Sequence, residues 1–521
     1  MNLLLIPLPE ITLLAVACGV LVLDLFLPDR QRGWTYFLAQ CGLVAAIAGV
    51  LLFPGLDSQE LFSGSYVRDP LSDLAKIFLF LTVALTLVYG KGYLRQRGQF
   101  SGEYLALTLF ATLGMSVMVS AHGFLTLYLG LELLALSLYT LAALDRDSPL
   151  AAEAAMKYFV LGSLASGFLL YGISLFYGIT GSLDFGQVAQ MLQQKEEGHA
   201  VAIFALVFVV AGVAFKFGAV PFHVWVPDLY QGTPTSVALL VGSAPKIAAL
   251  VMAVRILGGG LAPLSSHWQA MLTLIVVLSM GFGNLLAIAQ TNIKRMLAYS
   301  AMSHVGFILL GLLALSTEGQ GAALFYAVIY ALTAAAGFGL LMILSRQGFE
   351  VETLAHLKGL NNRSPWYAAM MLLVMFSLAG VPPLVGFYAK LAVLQAALQA
   401  NLIGLSLVAV LFSVVGLYYY LRVVKLMYFD QDEDTSHLPL TACTDVRLAV
   451  GFNALLLLAL GISPGGLLGY CLSNNTLKPS AAKSCPISGS RNNSFGSAAA
   501  GSGASNSRMR CYRLPAGMAA S

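Results

Sequence analysis

The chain is predicted to be an all-α polytopic membrane protein of about fourteen transmembrane helices, with two inverted five-helix repeats and with helices 7 and 12 broken. Three observations carry that prediction. The 521 residues are 58% hydrophobic and only 10% charged, outside the range of a soluble domain. Apolar runs near the spanning length of about 20 residues recur along the chain. Two of those runs are interrupted by glycine and proline while also holding lysines, and irregular backbone with charge at membrane depth marks a transport pathway.

Taken in order, helices are expected over roughly 9–27, 34–54, 72–93, 103–120, 122–144, 151–178, 199–230 (broken), 234–258, 267–289, 295–314, 318–345, 366–400 (broken), 402–425 and 446–469. The first basic residue is Arg30, so the first apolar run lacks the charged region of a signal peptide and is read as a resident span. The odd-numbered loops collect Arg30, Arg32, Lys91, Arg95, Arg97, Arg146, Lys294, Arg295, Arg346, Lys358, Arg363, Arg422, Lys425 and Arg447, against Arg68, Lys195 and Arg255 in the even ones. By the positive-inside rule the odd loops face the cytoplasm and both termini face outward, in a bacterial cytoplasmic membrane. Five basic residues, Lys76, Lys157, Lys216, Lys246 and Lys390, lie in or at the edge of spans. A lysine near a helix end ordinarily snorkels to the interface, and Lys76 is read that way.

The expected organisation is an N-terminal three-helix segment (1–100), a five-helix unit (101–260, helices 4–8), its inverted counterpart (261–430, helices 9–13), a last helix (431–471) and a low-complexity tail (472–521). The tail is rich in Ser, Gly, Ala and Asn, contains six basic residues and no acidic one, and has the composition of a disordered segment. Of 28 basic residues, 28 − 6 = 22 remain in the body against all 24 acidic ones, so the net +4 arises from the tail and implies no nucleic-acid partner. The six cysteines form no Cys-x-x-Cys pair, and neither a metal centre nor an iron–sulfur cluster is expected.

The chemistry concentrates in VAFKFGAVPFHVWVPDLYQGTPTSVALLVGSAPK, residues 213–246. Gly218, Pro221 and Pro227 break its helical pattern between Lys216 and Lys246, and AGVPPLVGF breaks helix 12 just before Lys390. Helices 7 and 12 are five apart and cross in opposite directions, as inverted repeats require. Glu132 is the one carboxylate placed near the middle of a span, where it must face a cation or a water-filled cavity. Burial disfavours a charged lysine and a carboxylate restores it. At about 6 Å and an effective dielectric near 20 the attraction is roughly 3 kcal/mol, enough to load or release a proton as the two groups move. Lysine suits that task, since arginine does not give up its proton. Glu153 and Lys157, spaced (i, i+4) at the start of helix 6, fit either a supporting ion pair or proton uptake. His223 and His304 are placed near helix ends, as relays or as structural histidines.

These motifs, with LGLELLALSLYTL before them and NIKRMLAYSAMSHVGF and AGVPPLVGFYAK around them, resemble the antiporter-like subunit N (mitochondrial subunit 2) family of respiratory complex I, over nearly the whole chain to about residue 470. The resemblance implies a polar axis along the middle of the membrane in which Glu132, Lys216, Lys246 and Lys390 carry protons. Lysine at 390 is similar to subunit N, where subunit M has glutamate. It also implies other membrane-arm subunits as partners, protons as cargo and no cofactor on this chain, with NADH, FMN, iron–sulfur clusters and quinone in other subunits. The tail after helix 14 departs from the family pattern. A subunit of an Mrp-type cation/proton antiporter shares the fold and the lysines, and a non-conducting scaffold is the third reading. The absence of a Gly-rich nucleotide fingerprint or a flavin signature argues against independent NADH oxidation.

Overall fold

The computed structural model describes residues 5–28, 31–53, 59–194, 198–345, 348–431 and 444–473. Arg30, Lys195, Arg346 and the tail from 474 lie outside them. Among the described residues thirteen helices are long and apolar enough to cross a membrane, and a fourteenth crossing is made of two shorter pieces. Spans 1 to 6 are Leu8–Phe26, Gly33–Leu52, Pro70–Gln96, Gly102–Val119, Phe124–Ala142 and Pro149–Thr180. Span 7 runs through His199–Phe217 and resumes as Trp225–Gly232, and span 8 covers Thr235–Gly260. Spans 9 to 11 are Ser265–Ala289, Ile293–Leu313 and Thr317–Leu344, span 12 pairs Pro365–Ala379 with Val385–Gln399, and spans 13 and 14 are Ile403–Tyr428 and Thr444–Ile462.

Both expected breaks are present. Span 8 departs from expectation, because it kinks at Ser243 (φ −116°, ψ −91°), one turn before Lys246, and ends in a π-helical turn Val254–Gly260. The sequence reading also passes over the short helices Phe185–Gln194 and Gly465–Ser473 and the hairpin β1 (Gln59–Leu61) and β2 (Tyr66–Arg68).

Loop contacts sort the bundle into two faces. On the first, Arg32 donates to the Phe100 carbonyl, Arg97 and Lys294 meet Glu350, Arg295 meets Asp228, and Arg422 donates to the Gln290 carbonyl. Burial works to raise Glu350, and Lys294, the Thr235 hydroxyl, Arg97 and the Tyr93 hydroxyl outweigh it, holding the carboxyl below its ordinary range. On the second face, Val67 donates to the Ser120 carbonyl, Gly123 bridges Asp184, and Gln269 donates to the Leu313 carbonyl. The described odd loops share the first face and the even loops the second, as the alternation of spans demands.

Spans 8 and 11 are enclosed along their apolar length by their neighbours, whereas spans 1, 2, 13 and 14 turn large apolar side chains outward. Spans 4 and 5 approach closely, since a Cβ on Gly114 would lie 2.5 Å from the Leu134 nitrogen. Spans 9 and 10 do the same, a Cβ on Gly283 lying 2.8 Å from the Ser303 nitrogen. In both pairs, small residues let membrane helices pack backbone to backbone.

Lys76 does not snorkel. Its side chain is fully buried 2.7 Å from Glu10 Oε1, which also accepts from Ser116, and the amine donates to the Tyr66 hydroxyl at 3.0 Å. A carboxylate 66 positions earlier in the chain and the hairpin together complete its shell, so no local pattern announces it. Arg255 is likewise buried rather than in an open loop, donating to Asp69 and to the Val119 carbonyl.

Removing one partner of a buried pair leaves an uncompensated charge. Lys76→Met should therefore destabilise the protein by on the order of 3–5 kcal/mol, and adding Glu10→Gln should recover most of the loss. Thermal unfolding of the purified protein in detergent, compared for the single and double variants, checks this.

Candidate functional site

Each broken helix ends on a glycine in the left-handed region, Gly218 at φ +68° and Gly380 at φ +81°. Such a stop leaves the last carbonyls of the first half-helix without intrahelical partners in a dry environment. At both breaks a lysine amine supplies one. Lys246 Nζ donates to the Phe217 carbonyl at 2.6 Å, and Lys390 Nζ donates to the Ala379 carbonyl at 2.8 Å and to the Ser413 hydroxyl at 2.9 Å. Phe217 and Ala379 are the residues directly before the two glycines. The partial negative charge of a helix C-terminus favours a cation at both places. Lys246 also lies 5.9 Å from the Trp225 ring and Lys390 5.4 Å from Phe307.

Lys216, two residues before the first glycine, lines a narrow cavity with Met118, Tyr158, Trp225 and Pro245 that has room for a water molecule. The charge of Glu132 on span 5 reaches Lys216, with no direct ion pair between them among the described residues. Glu132 Oε1 is buried with no hydrogen-bond partner, and Tyr128 and Tyr139 on its own helix flank it. Glu132 does not line the cavity beside Lys216.

His304 is not near a helix end. It is the twelfth of the 21 residues of span 10, which Asn292 caps, and is buried within the bundle. Its Nδ1 lies 2.7 Å from the Tyr326 hydroxyl and its Nε2 3.0 Å from the Tyr420 hydroxyl, which in turn bonds Ser300. Tyr330 packs 5.1 Å from the same ring, and Lys390 is within reach of its charge. Tyr230 is next to Tyr330, and its hydroxyl is 2.6 Å from where a Cβ on Gly242 would sit, one turn before Lys246. Tyrosines 230, 326, 330 and 420 thus fill the interval between Lys246 and Lys390. The sequence reading missed them, since a buried tyrosine leaves no spacing signature.

His223 lies in the turn of the first break, half-buried, with Nδ1 lacking a hydrogen-bond partner. Lys157 and Glu153 pair at 2.7 Å on an exposed flank of span 6, and Lys157 also donates to Asp228 at 2.9 Å. Asp228, in the second half of span 7, joins Lys157 to Arg295 of span 10. It stands in the motif PDLYQG, yet the sequence reading gave it no role. Among the described residues no group of three or more His, Cys, Asp or Glu side chains is placed to hold a metal ion.

Residues 121–416 match the family model described as NADH:quinone oxidoreductase/Mrp antiporter, transmembrane. The chain is 54% identical over 461 residues to NADH-quinone oxidoreductase subunit N of Thioalkalivibrio sulfidiphilus, covering 88% of this chain and 96% of that protein. It is 56% identical over 466 residues to the subunit N of Thiobacillus denitrificans, covering 89% and 96%. Among solved structures, a chain of respiratory complex I from Thermus thermophilus with bound aureothin superposes with a TM-score of 0.75 at 32% identity, over 88% of this chain and 98% of that one. A chain of the Mrp complex from Dietzia has a TM-score of 0.77 at 22% identity, over 91% and 98%, a likeness of fold alone.

The breaks predict a specific sensitivity. Gly380→Ala should cost about 1–2 kcal/mol in backbone conformation alone. Its Cβ would also lie 2.9 Å from Lys390 Cδ and push the amine off the Ala379 carbonyl. A lowered melting temperature in detergent, with a smaller loss for Gly404→Ala where a Cβ meets open space, checks this.

Proposed function

The chain belongs to the subunit N family of NADH-quinone oxidoreductases, membrane-arm subunits of respiratory complex I, and from that premise we propose that it carries protons across the membrane along Glu132, Lys216, Lys246, His304 and Lys390. Quinone reduction in neighbouring subunits drives it, and this chain holds no redox group of its own. The observation that supports the reading best is the matched pair of lysine amines on the carbonyls of two broken helices at the centre of the bundle.

The chemistry follows from what surrounds each amine. An amine enclosed by apolar side chains is costly when charged, and a carbonyl or a carboxylate offsets that cost only while it stays in reach. Lys216 borders a cavity that fits a water, and Glu132 acts on it at longer range, so a change in their separation changes whether Lys216 keeps its proton. The proton then passes toward Lys246 and, through the hydroxyls of Tyr330 and Tyr326 and the His304 ring, toward Lys390. Each hydroxyl and the imidazole both donate and accept, which a relay requires. Lys157, Asp228 and Glu153 on the first face are the groups proposed to take up protons, and His223 stands at the break. The Mrp-type antiporter alternative rests on fold likeness at 22% identity and stands below this reading.

Four variants of the assembled complex test the assignment through NADH-driven proton uptake in membrane vesicles. Lys216→Ala should depress proton uptake and quinone reduction together. Lys216→Arg should be nearly as damaging, because a permanent cation does not release its proton. Glu132→Gln should impair both rates, and Glu132→Asp should retain part of them. Near-normal uptake in assembled Lys216→Arg enzyme would overturn the proton-carrier role.

The orientation proposed from loop charge places the first face in the cytoplasm and both termini outside. In a cysteine-free background, Gln96→Cys and Asn362→Cys should react with an impermeant thiol reagent only from the cytoplasmic side. Gln190→Cys should react only from outside, and labelling of positions 96 and 190 from one side would contradict the topology.

A further inference from the structure

The second face holds two histidines that the proton axis does not use. His199 is the first residue of span 7 and is exposed, and His267 is the third residue of span 9 and is half-buried. Their ring centroids are 5.5 Å apart with the planes at 62°. Neither ring is hydrogen-bonded or ion-paired to another described residue.

That spacing matches the bite of a transition-metal ion. An imidazole nitrogen about 2.1 Å from zinc places its ring centroid about 3.2 Å from the metal, and two such rings at a tetrahedral angle lie about 5.2 Å apart. Imidazole selects zinc, copper and nickel over magnesium or calcium, which take oxygen ligands. With no third protein ligand among the described residues, water or an anion completes the shell. We infer that His199 and His267 form a two-histidine site for a divalent transition-metal ion such as Zn2+ on the second face.

The two ligands come from different halves of the molecule. Span 7 carries Lys216 and the first break, and span 9 packs against span 10, which carries His304. A bound ion ties span 7 to span 9. The consequence for transport, that the ion slows proton movement, rests on the proposed function, whereas the binding itself does not.

The test uses the whole complex in mild detergent with zinc alone as titrant, followed by Cu2+ electron paramagnetic resonance to count nitrogen ligands. The unsubstituted complex should bind one more Zn2+ than the His199→Gln/His267→Gln double variant, and Cu2+ at that site should show coupling to two imidazole nitrogens. Each single variant should weaken the site by about tenfold or more, since even outer-shell changes cost that much. Loss on one substitution but not the other, or binding unchanged in the double variant, overturns the chelate. In vesicles, zinc should slow proton uptake by the unsubstituted complex and spare the double variant. Zinc bound at the pair with uptake unchanged overturns the tie between spans 7 and 9. Absence of proton uptake in the unsubstituted complex without zinc would instead overturn the proposed function and leave the binding result standing.

Discussion

A helix that stops inside a hydrocarbon layer exposes carbonyls that nothing in lipid can satisfy. In this protein the Lys246 and Lys390 amines meet that need, and most of the architecture follows from it. The two stops require left-handed backbone, hence Gly218 and Gly380. Span 8, which carries Lys246, is enclosed along its apolar length by its neighbours, as is span 11. A buried amine must also have a partner whose attraction can vary, and a neutral carbonyl holds a cation less firmly than a carboxylate does. On the proposed proton path, the same contact that stabilises the break is one the amine can leave as it gives up its proton.

The charges near the two faces are arranged differently. Glu10 with Lys76, Asp69 with Arg255, and Asp73 with Arg68 are direct ion pairs at 2.7 to 2.9 Å. Glu350 gathers two cations from separate elements. Paired carboxylates of this kind fix helix ends in place and hold their charge. Along the middle, the buried amines of Lys246 and Lys390 donate to carbonyls, with no carboxylate at ion-pair distance from them or from Lys216 among the described residues. The contrast separates groups that anchor the bundle from groups suited to exchange a proton.

The spans and the two breaks were legible because apolar length, glycine and proline are local signals. Lys216, Lys246 and Lys390 were legible because lysine at span depth is costly wherever it stands. The kink at Ser243 was not, since Pro245 in the first turn of a helix is ordinary and says nothing of the residue two before it. Lys76 was misread because its partner, Glu10, lies two spans earlier. The tyrosine set was invisible for a related reason. Tyrosine is common at membrane interfaces, and only tertiary packing tells that Tyr326, Tyr330 and Tyr420 converge on one imidazole.

The central claim is that the amines at the two breaks act in series on one proton path. A double-substitution cycle with Lys246→Met and Lys390→Met, read as NADH-driven proton uptake by the assembled complex, tests it most directly. In series, each single substitution lowers uptake to a similar extent and the double variant is no worse than the lower single. Losses that multiply independently, or full uptake in either assembled single variant, would contradict the account.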